Sequence, residues 1–152
     1  MRAVEEARRW IGTPYVHQAS RLGAGCDCLG LVRGVWRGLY GAEPEALPPY
    51  TRDWAEPGRE EVLTKAAMRL LVPKPLSAAA PGDVLIFRMR AGRVAKHMGI
   101  QSACGATPMF IHSYDRCGVV ETGLSRPWAR RIAARFAFPA ADDTHETHLK
   151  GA

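Results

Sequence analysis

The sequence predicts an α+β domain in which helices come first and an antiparallel sheet of about five strands follows. Three observations predict it. Up to Leu71 the apolar residues recur at helical spacing, the character of the chain changes at Pro73, and from Pro81 onward short apolar runs alternate with turn signals. The chain has 152 residues, 47% hydrophobic and 24% charged, which suits one domain with a real core. That domain is expected over residues 1–139, with 140–152 a disordered tail.

Val4 to Ile11 reads as the first helix, with Val4, Ala7 and Ile11 on one face, and Gly12-Thr13-Pro14-Tyr15 stops it. A polar loop from His17 to Gly25 leads to a second helix over Cys28 to Leu39. There Leu29, Val32, Val35, Trp36 and Leu39 are the buried positions and Gly41 the stop. A proline-rich loop runs from Pro44 to Pro57. Glu60 to Leu71 is a further amphipathic helix with Val62, Ala66, Met68, Leu70 and Leu71 apolar. Pro81-Gly82-Asp83 is a turn before a buried strand, Val84-Leu85-Ile86-Phe87, and Ala91-Gly92-Arg93 turns the chain into a strand carrying His97. Met109 to Tyr114, Gly118 to Thr122 and Ile132 to Phe138 supply the remaining strands.

The charge pattern narrows the partners. The formal net charge is +6, and Asp142, Asp143 and Glu146 against Lys150 give the tail −2, so the body carries +8. A basic body suits an anionic partner, whether nucleic acid, a membrane surface or a cell-wall polymer, or is simply a solvated face. No basic run is interleaved with aromatics, so specific nucleic-acid binding is not expected. No apolar stretch is long enough to span a bilayer. The charged amphipathic start lacks the apolar segment of a signal peptide, so synthesis in the cytoplasm and release by another route are expected. Four cysteines, at 26, 28, 104 and 117, are expected as thiols. Cys26 and Cys28 are too close for an unstrained bridge, and Cys104 and Cys117 would pair only if a hairpin brought them together.

The chemistry concentrates in Gly25-Cys26-Asp27-Cys28-Leu29-Gly30-Leu31-Val32. Cys28 opens an apolar helix, where the positive end of the helix dipole favours the thiolate. Backbone amides at the helix start can also stabilise an oxyanion beside it. His97 and His112 lie in apolar strands, and if those strands are neighbours the two rings can bond to each other. A small buried cysteine and two core histidines are the bland alternative. Zinc is another use of Cys26, Cys28, His97, His112 and His17. The Cys-x-Cys spacing is tighter than a zinc knuckle and no second paired element follows, so neither metal nor cofactor is expected.

Trp10-Ile11-Gly12-Thr13-Pro14-Tyr15, Asp27-Cys28-Leu29-Gly30-Leu31-Val32, Pro81-Gly82-Asp83, His97-Met98-Gly99-Ile100 and Ile111-His112-Ser113 together resemble the NlpC-type cell-wall peptidases. The resemblance runs in order through nearly all of the chain up to Pro139. It implies a papain-like cysteine enzyme with the Cys-bearing helix against an antiparallel sheet. It makes Cys28 the nucleophile, His97 the base and His112 the orienting residue. It also implies hydrolysis of peptidoglycan stem peptides, often between γ-D-glutamate and the diamino acid. Tyr15 matches a tyrosine lining the active site, and Asp27 an acidic residue that holds the substrate's amine or positions the loop. His17, Ser20 and Leu29 complete the candidate substrate-binding set.

Two departures bear on specificity. Leu29 stands where the family usually has Ser, and His17 and Gln18 replace glycines. The block His17-Gln18-Ala19-Ser20 with Cys26-Asp27-Cys28-Leu29-Gly30 is most similar to the subgroup encoded by phages and gene transfer agents. Partners implied are therefore peptidoglycan and phage-tail or gene-transfer-agent particle proteins, with action at the cell wall. An amidase or acyltransferase on the same fold, and a non-catalytic wall-binding tail module, are the rival readings.

Overall fold

Helix α1 (Arg2–Arg8) buries Ala3, Val4 and Ala7. In this computed structural model, which describes residues 2–43, 57–88 and 95–140, α1 is shorter than its periodicity predicts. After Arg8 the backbone tightens, Trp10 N–H bonding to the Ala7 carbonyl and Ile11 N–H to that of Arg8. This turns Ile11 out to solvent, 45% exposed, and Trp10 takes its place in the core. Trp10 lies where the side chain of Gly34 would be, so a Cβ there would collide with the indole and α1 could not approach so closely.

The predicted polar loop contains a small antiparallel ribbon of β1 (Ser20–Arg21) and β2 (Gly25–Cys26). Two-residue strands are too short to show alternation, which is why the sequence reads as loop. Helix α2 (Cys28–Tyr40) follows, capped by Asp27 and ended by Gly41 at φ 93°. It buries Leu29, Leu31, Val32, Val35 and Trp36, while Leu39 packs at the core's margin. Helix α3 (Pro57–Leu70) turns Ala66, Ala67 and Leu70 inward. Met68 is 58% exposed, contrary to the reading from its apolarity, because it lies about 200° round the helix from Ala66. The expected proline-rich loop lies almost wholly outside the described residues, as do the Ala91-Gly92-Arg93 turn, the Val62 side chain and the tail from residue 141.

The sheet has six strands among the described residues: β3 (Val72–Lys74), β4 (Val84–Arg88), β5 (Ala95–Ala103), β6 (Met109–Tyr114), β7 (Gly118–Gly123) and β8 (Ile132–Ala137). Their spatial order is β3-β8-β4-β5-β6-β7, with every neighbouring pair antiparallel. The strand beyond the predicted five is β3, a three-residue edge strand interrupted by Pro73, a residue that edges tolerate and sequence patterns read as a break. A four-residue helix α4 (Arg126–Ala129) crosses between β7 and β8.

The sheet buries residues on both sides. Val84, Ile86, Met98, Ile100, Ile111, Val119 and Phe136 pack with the helices, while Leu85, Phe87, Phe110 and Leu124 pack with Trp128 and Ile132 on the other face. One buried ionic cluster ties four strands together. Asp83 accepts from Lys74 Nζ at 2.8 and 2.9 Å, from Ala80 N–H at 2.9 Å and from Arg135 Nη1 at 2.8 Å. Arg135 also donates to Gln101 Oε1 at 2.6 Å and to the Leu76 carbonyl at 3.1 Å. The Pro81-Gly82-Asp83 turn therefore anchors β3, β4, β5 and β8.

Candidate active site

Cys28 is the first residue of α2 and is fully buried. Asp27, equally buried, fixes the approach to it: Oδ1 accepts from Gly30 N–H at 2.7 Å and Oδ2 from Gln18 N–H at 2.8 Å. Gln18 sits at φ 62°, a left-handed conformation costly for a residue with a side chain and held here by that bond. The same carboxylate caps the helix and ties down the loop before the ribbon. His17 Nδ1 lies 3.9 Å from Asp27 Oδ2.

The ribbon is stapled to α2 by side chains. Ser20 Oγ donates to the Gly30 carbonyl at 2.6 Å, and Arg37 Nη2 donates to Ser20 O at 2.7 Å and Oγ at 2.9 Å. At Gly30 a Cβ would run into the Ala19 carbonyl oxygen, so only glycine lets the ribbon lie this close to the first turn. Tyr15, half-buried, bridges Cys26 through its backbone and so flanks the entry to α2. Leu29 is 4% exposed and faces an apolar groove shared with Val32, Trp36, Ala67, Leu71 and Met98. Packing of that groove accounts for an apolar residue at the position after Cys28.

The two cysteines of the segment differ. Cys26 is fully buried, and burial pushes its thiol up to about 11, the neighbouring Asp27 and Cys28 charges adding to the effect. At neutral pH Cys26 is a protonated, inert thiol. Cys104 and Cys117 form no disulfide.

His97 and His112, each 2% exposed, come together on neighbouring strands: His97 Nε2 and His112 Nδ1 are 2.8 Å apart. His112 Nε2 in turn lies 2.9 Å from Thr122 Oγ1 on β7. Burial drives the His112 pKa down to about 4, so this ring is neutral at physiological pH. Aromatic rings enclose the pair. Trp128 stands edge-on to His112 at 5.3 Å between centroids and 6.1 Å from His97, Phe110 is 4.3 Å from His112, Phe87 5.9 Å from His97, and Tyr114 within 6 Å of both. These rings are what desolvate the imidazoles.

Two contacts bring the start of α2 to these strands. Ser113 Oγ, one residue beyond His112, donates to the Cys26 carbonyl at 2.8 Å. Leu29 and Met98, the residues immediately after Cys28 and His97, line the same groove. The start of α2 and the two strands that carry the imidazole pair are thus neighbours in the fold. Ser20 is engaged in the ribbon staple, and Asp27 in backbone bonds. Among the described residues no cluster of His, Cys, Asp and Glu could hold a metal ion. None of the described helices is long and apolar enough to cross a membrane.

The sequence reading missed Thr122 and Trp128. Thr122 could be found from the register: with His112 opposite Val120 and Phe110 opposite Thr122, it is the diagonal neighbour of His112 on the same face. Trp128 follows Ser125-Arg126-Pro127, a helix-start signal, but nothing local says that the indole covers the histidines.

A thiol-bearing helix start against an antiparallel sheet that carries a histidine pair defines a papain-like α+β domain. The chain belongs to the NlpC/P60 family, whose model matches residues 12–134 and so includes all of these side chains. Two solved structures share the fold. An NLP/P60-family protein described as similar to lipoprotein, from Staphylococcus aureus subsp. aureus Mu50, is 21% identical with a TM-score of 0.59 over 91% of this chain and 40% of that one. An NlpC/P60-family protein from Bacillus cereus ATCC 10987 is 19% identical with a TM-score of 0.61 over 90% of this chain and 39% of that one. The chain thus spans about two fifths of the length of either. No curated protein sequence matches it significantly.

Proposed function

We propose that this domain is a cysteine peptidase of peptidoglycan stem peptides, with Cys28 as nucleophile, His97 as base and His112 as orienting residue. The observation that carries the reading is the buried His97–His112 bond at 2.8 Å, on strands packed against the helix that Cys28 begins. Membership of the NlpC/P60 family supports the substrate class. In the first step the Cys28 sulfur attacks the amide carbonyl carbon as His97 takes the thiol proton. The C–N bond then breaks, the leaving amine takes that proton, and a thioester remains. Water, deprotonated by His97, hydrolyses the thioester and restores the thiol. N–H groups at the start of α2 are the proposed donors to the developing oxyanion, that of Gly30 being already taken by Asp27. No metal is required by this scheme.

Tyr15, His17 and Ser20 border the entry to α2 and belong to the proposed substrate-binding side. Asp27 positions the loop, since both its oxygens accept backbone N–H groups. Leu29 acts through packing. The motif around His17 and Cys26 supports a further reading, action as part of a phage-tail or gene-transfer-agent particle that meets the cell wall.

Digestion of defined muropeptides with product masses read by mass spectrometry tests the proposal. A single amide cut, water added, and loss of the cut in Cys28→Ser are expected. Products joined to an added amine would make the protein an acyltransferase, and sacculus binding without any cut would make it a wall-binding module. Detection of the chain in purified virion-like particles tests the particle reading.

A further inference from the structure

The His97–His112–Thr122 chain has a direction that the distances alone leave open. If the His112 proton sits on Nδ1, it points at His97 Nε2, and His97 must then carry its own proton on Nδ1, where it has no lone pair to offer a thiol. If the His112 proton sits on Nε2, it points at Thr122, and Nδ1 is free to accept from His97 Nε2–H. His97 Nδ1 then keeps its lone pair. Only the second arrangement suits a base, and only it survives once His97 has taken a proton, because both nitrogens of that ring then donate.

We propose that Thr122 is a positioning residue of this site: its hydroxyl, able to donate or accept, accepts the Nε2 proton of His112 in the arrangement that suits a base and so stabilises the tautomer that turns the His112 Nδ1 lone pair toward His97. The inference deepens the proposed function and rests on it for the catalytic role of His97. The geometry supports it at three points. Oγ1 is 2.9 Å from Nε2, and His112 is 2% exposed, so the proton on that nitrogen needs a protein acceptor. Thr122 is held on β7 by its register with Phe110, and β-branching limits its side-chain rotation. Separately, burial keeps His112 neutral, so the ring has one proton to place and a choice of nitrogen.

Thr122→Val keeps the shape and replaces the acceptor by a methyl. Thr122→Ser restores the acceptor. Long-range 1H–15N spectra of the imidazoles, with His112 assigned by its loss in His112→Asn, read the tautomer without any substrate. Kinetics on a soluble stem peptide read the consequence. Wild type should show His112 protonated at Nε2. Thr122→Val should lose that preference and lower kcat roughly tenfold at unchanged KM, the value of one hydrogen bond of about 1.4 kcal/mol. Thr122→Ser should recover both. An Nδ1 proton on His112 in the wild-type protein overturns the inference whether or not the valine variant folds. So does a valine variant in which either the tautomer or kcat is unchanged. If wild type cuts no stem peptide, the proposed function fails, and the spectra alone then decide the hold of Thr122 on His112.

Discussion

Replacing Asp27 tests how this sequence builds the start of α2. The carboxylate is fully buried and accepts two backbone N–H groups, Gly30 at 2.7 Å and Gln18 at 2.8 Å. Asp27→Ala leaves both donors without their acceptor, the Gly30 N–H in the interior, at about 1–3 kcal/mol each, a range that already contains the usual loss of a helix cap. The sum is about 2–6 kcal/mol, which for a domain of this size lowers Tm by roughly 10 °C. Asp27→Asn is not a mild substitution here. Its carbonyl oxygen can keep one bond, but its NH2 then faces the other N–H, donor against donor. About half the loss is therefore expected. Thermal unfolding followed by circular dichroism measures both variants. Thiol hydrolysis at a temperature where each variant remains folded should fall further than stability does, because Cys28 is the next residue. If Asp27→Ala melted within about 2 °C of wild type, the carboxylate would not be carrying both bonds, and the account of the helix start would be wrong.

Other consequences follow from the same geometry. Cys28→Ser should abolish hydrolysis while Cys26→Ser retains most of it, since burial holds Cys26 near 11 and therefore protonated; muropeptide digestion with the reverse result would overturn the assignment. His112 titrates near 4 when folded against 6.5 unfolded, so the unfolded chain takes up its proton first as pH falls. Its contribution to stability is undiminished above pH 6.5 and is lost between 6.5 and 4, by about 3 kcal/mol. Urea midpoints across that range should fall less steeply for His112→Asn, and equal slopes would refute the point. Arg135→Met leaves Asp83 buried with only Lys74 as a cation among its described partners and should cost about 3–5 kcal/mol by urea unfolding. Binding to sacculi should weaken as salt rises past about 0.15 M, where the screening length is about 8 Å, while cleavage of a small muropeptide changes little. Salt-independent sacculus binding would assign the basic body another role.

What the sequence determined by itself is local. Cys28 at a helix start, Asp27 as the residue before it, Gly41 as the stop and Val84-Leu85-Ile86-Phe87 as a buried strand all follow from side-chain pattern and cap chemistry within a few residues. The ordered motifs then identified the family and its fold. Tertiary structure decided the rest, because those facts depend on partners far away in the chain. Ile11 and Met68 are apolar yet exposed, since a tightened turn and a helix face set their direction. Strand β3 exists because Val72–Lys74 pairs with β8 and Lys74 reaches Asp83, nine residues on, in a cluster that Arg135 completes. The tautomer logic of the histidine pair depends on Thr122, ten residues from His112 and beside it only through the register of β6 and β7. The low pKa of His112 depends on burial, to which Trp128 contributes from a helix whose place over the sheet no local pattern specifies. Pattern fixes what a residue is able to do, whereas register and packing choose which residue does it.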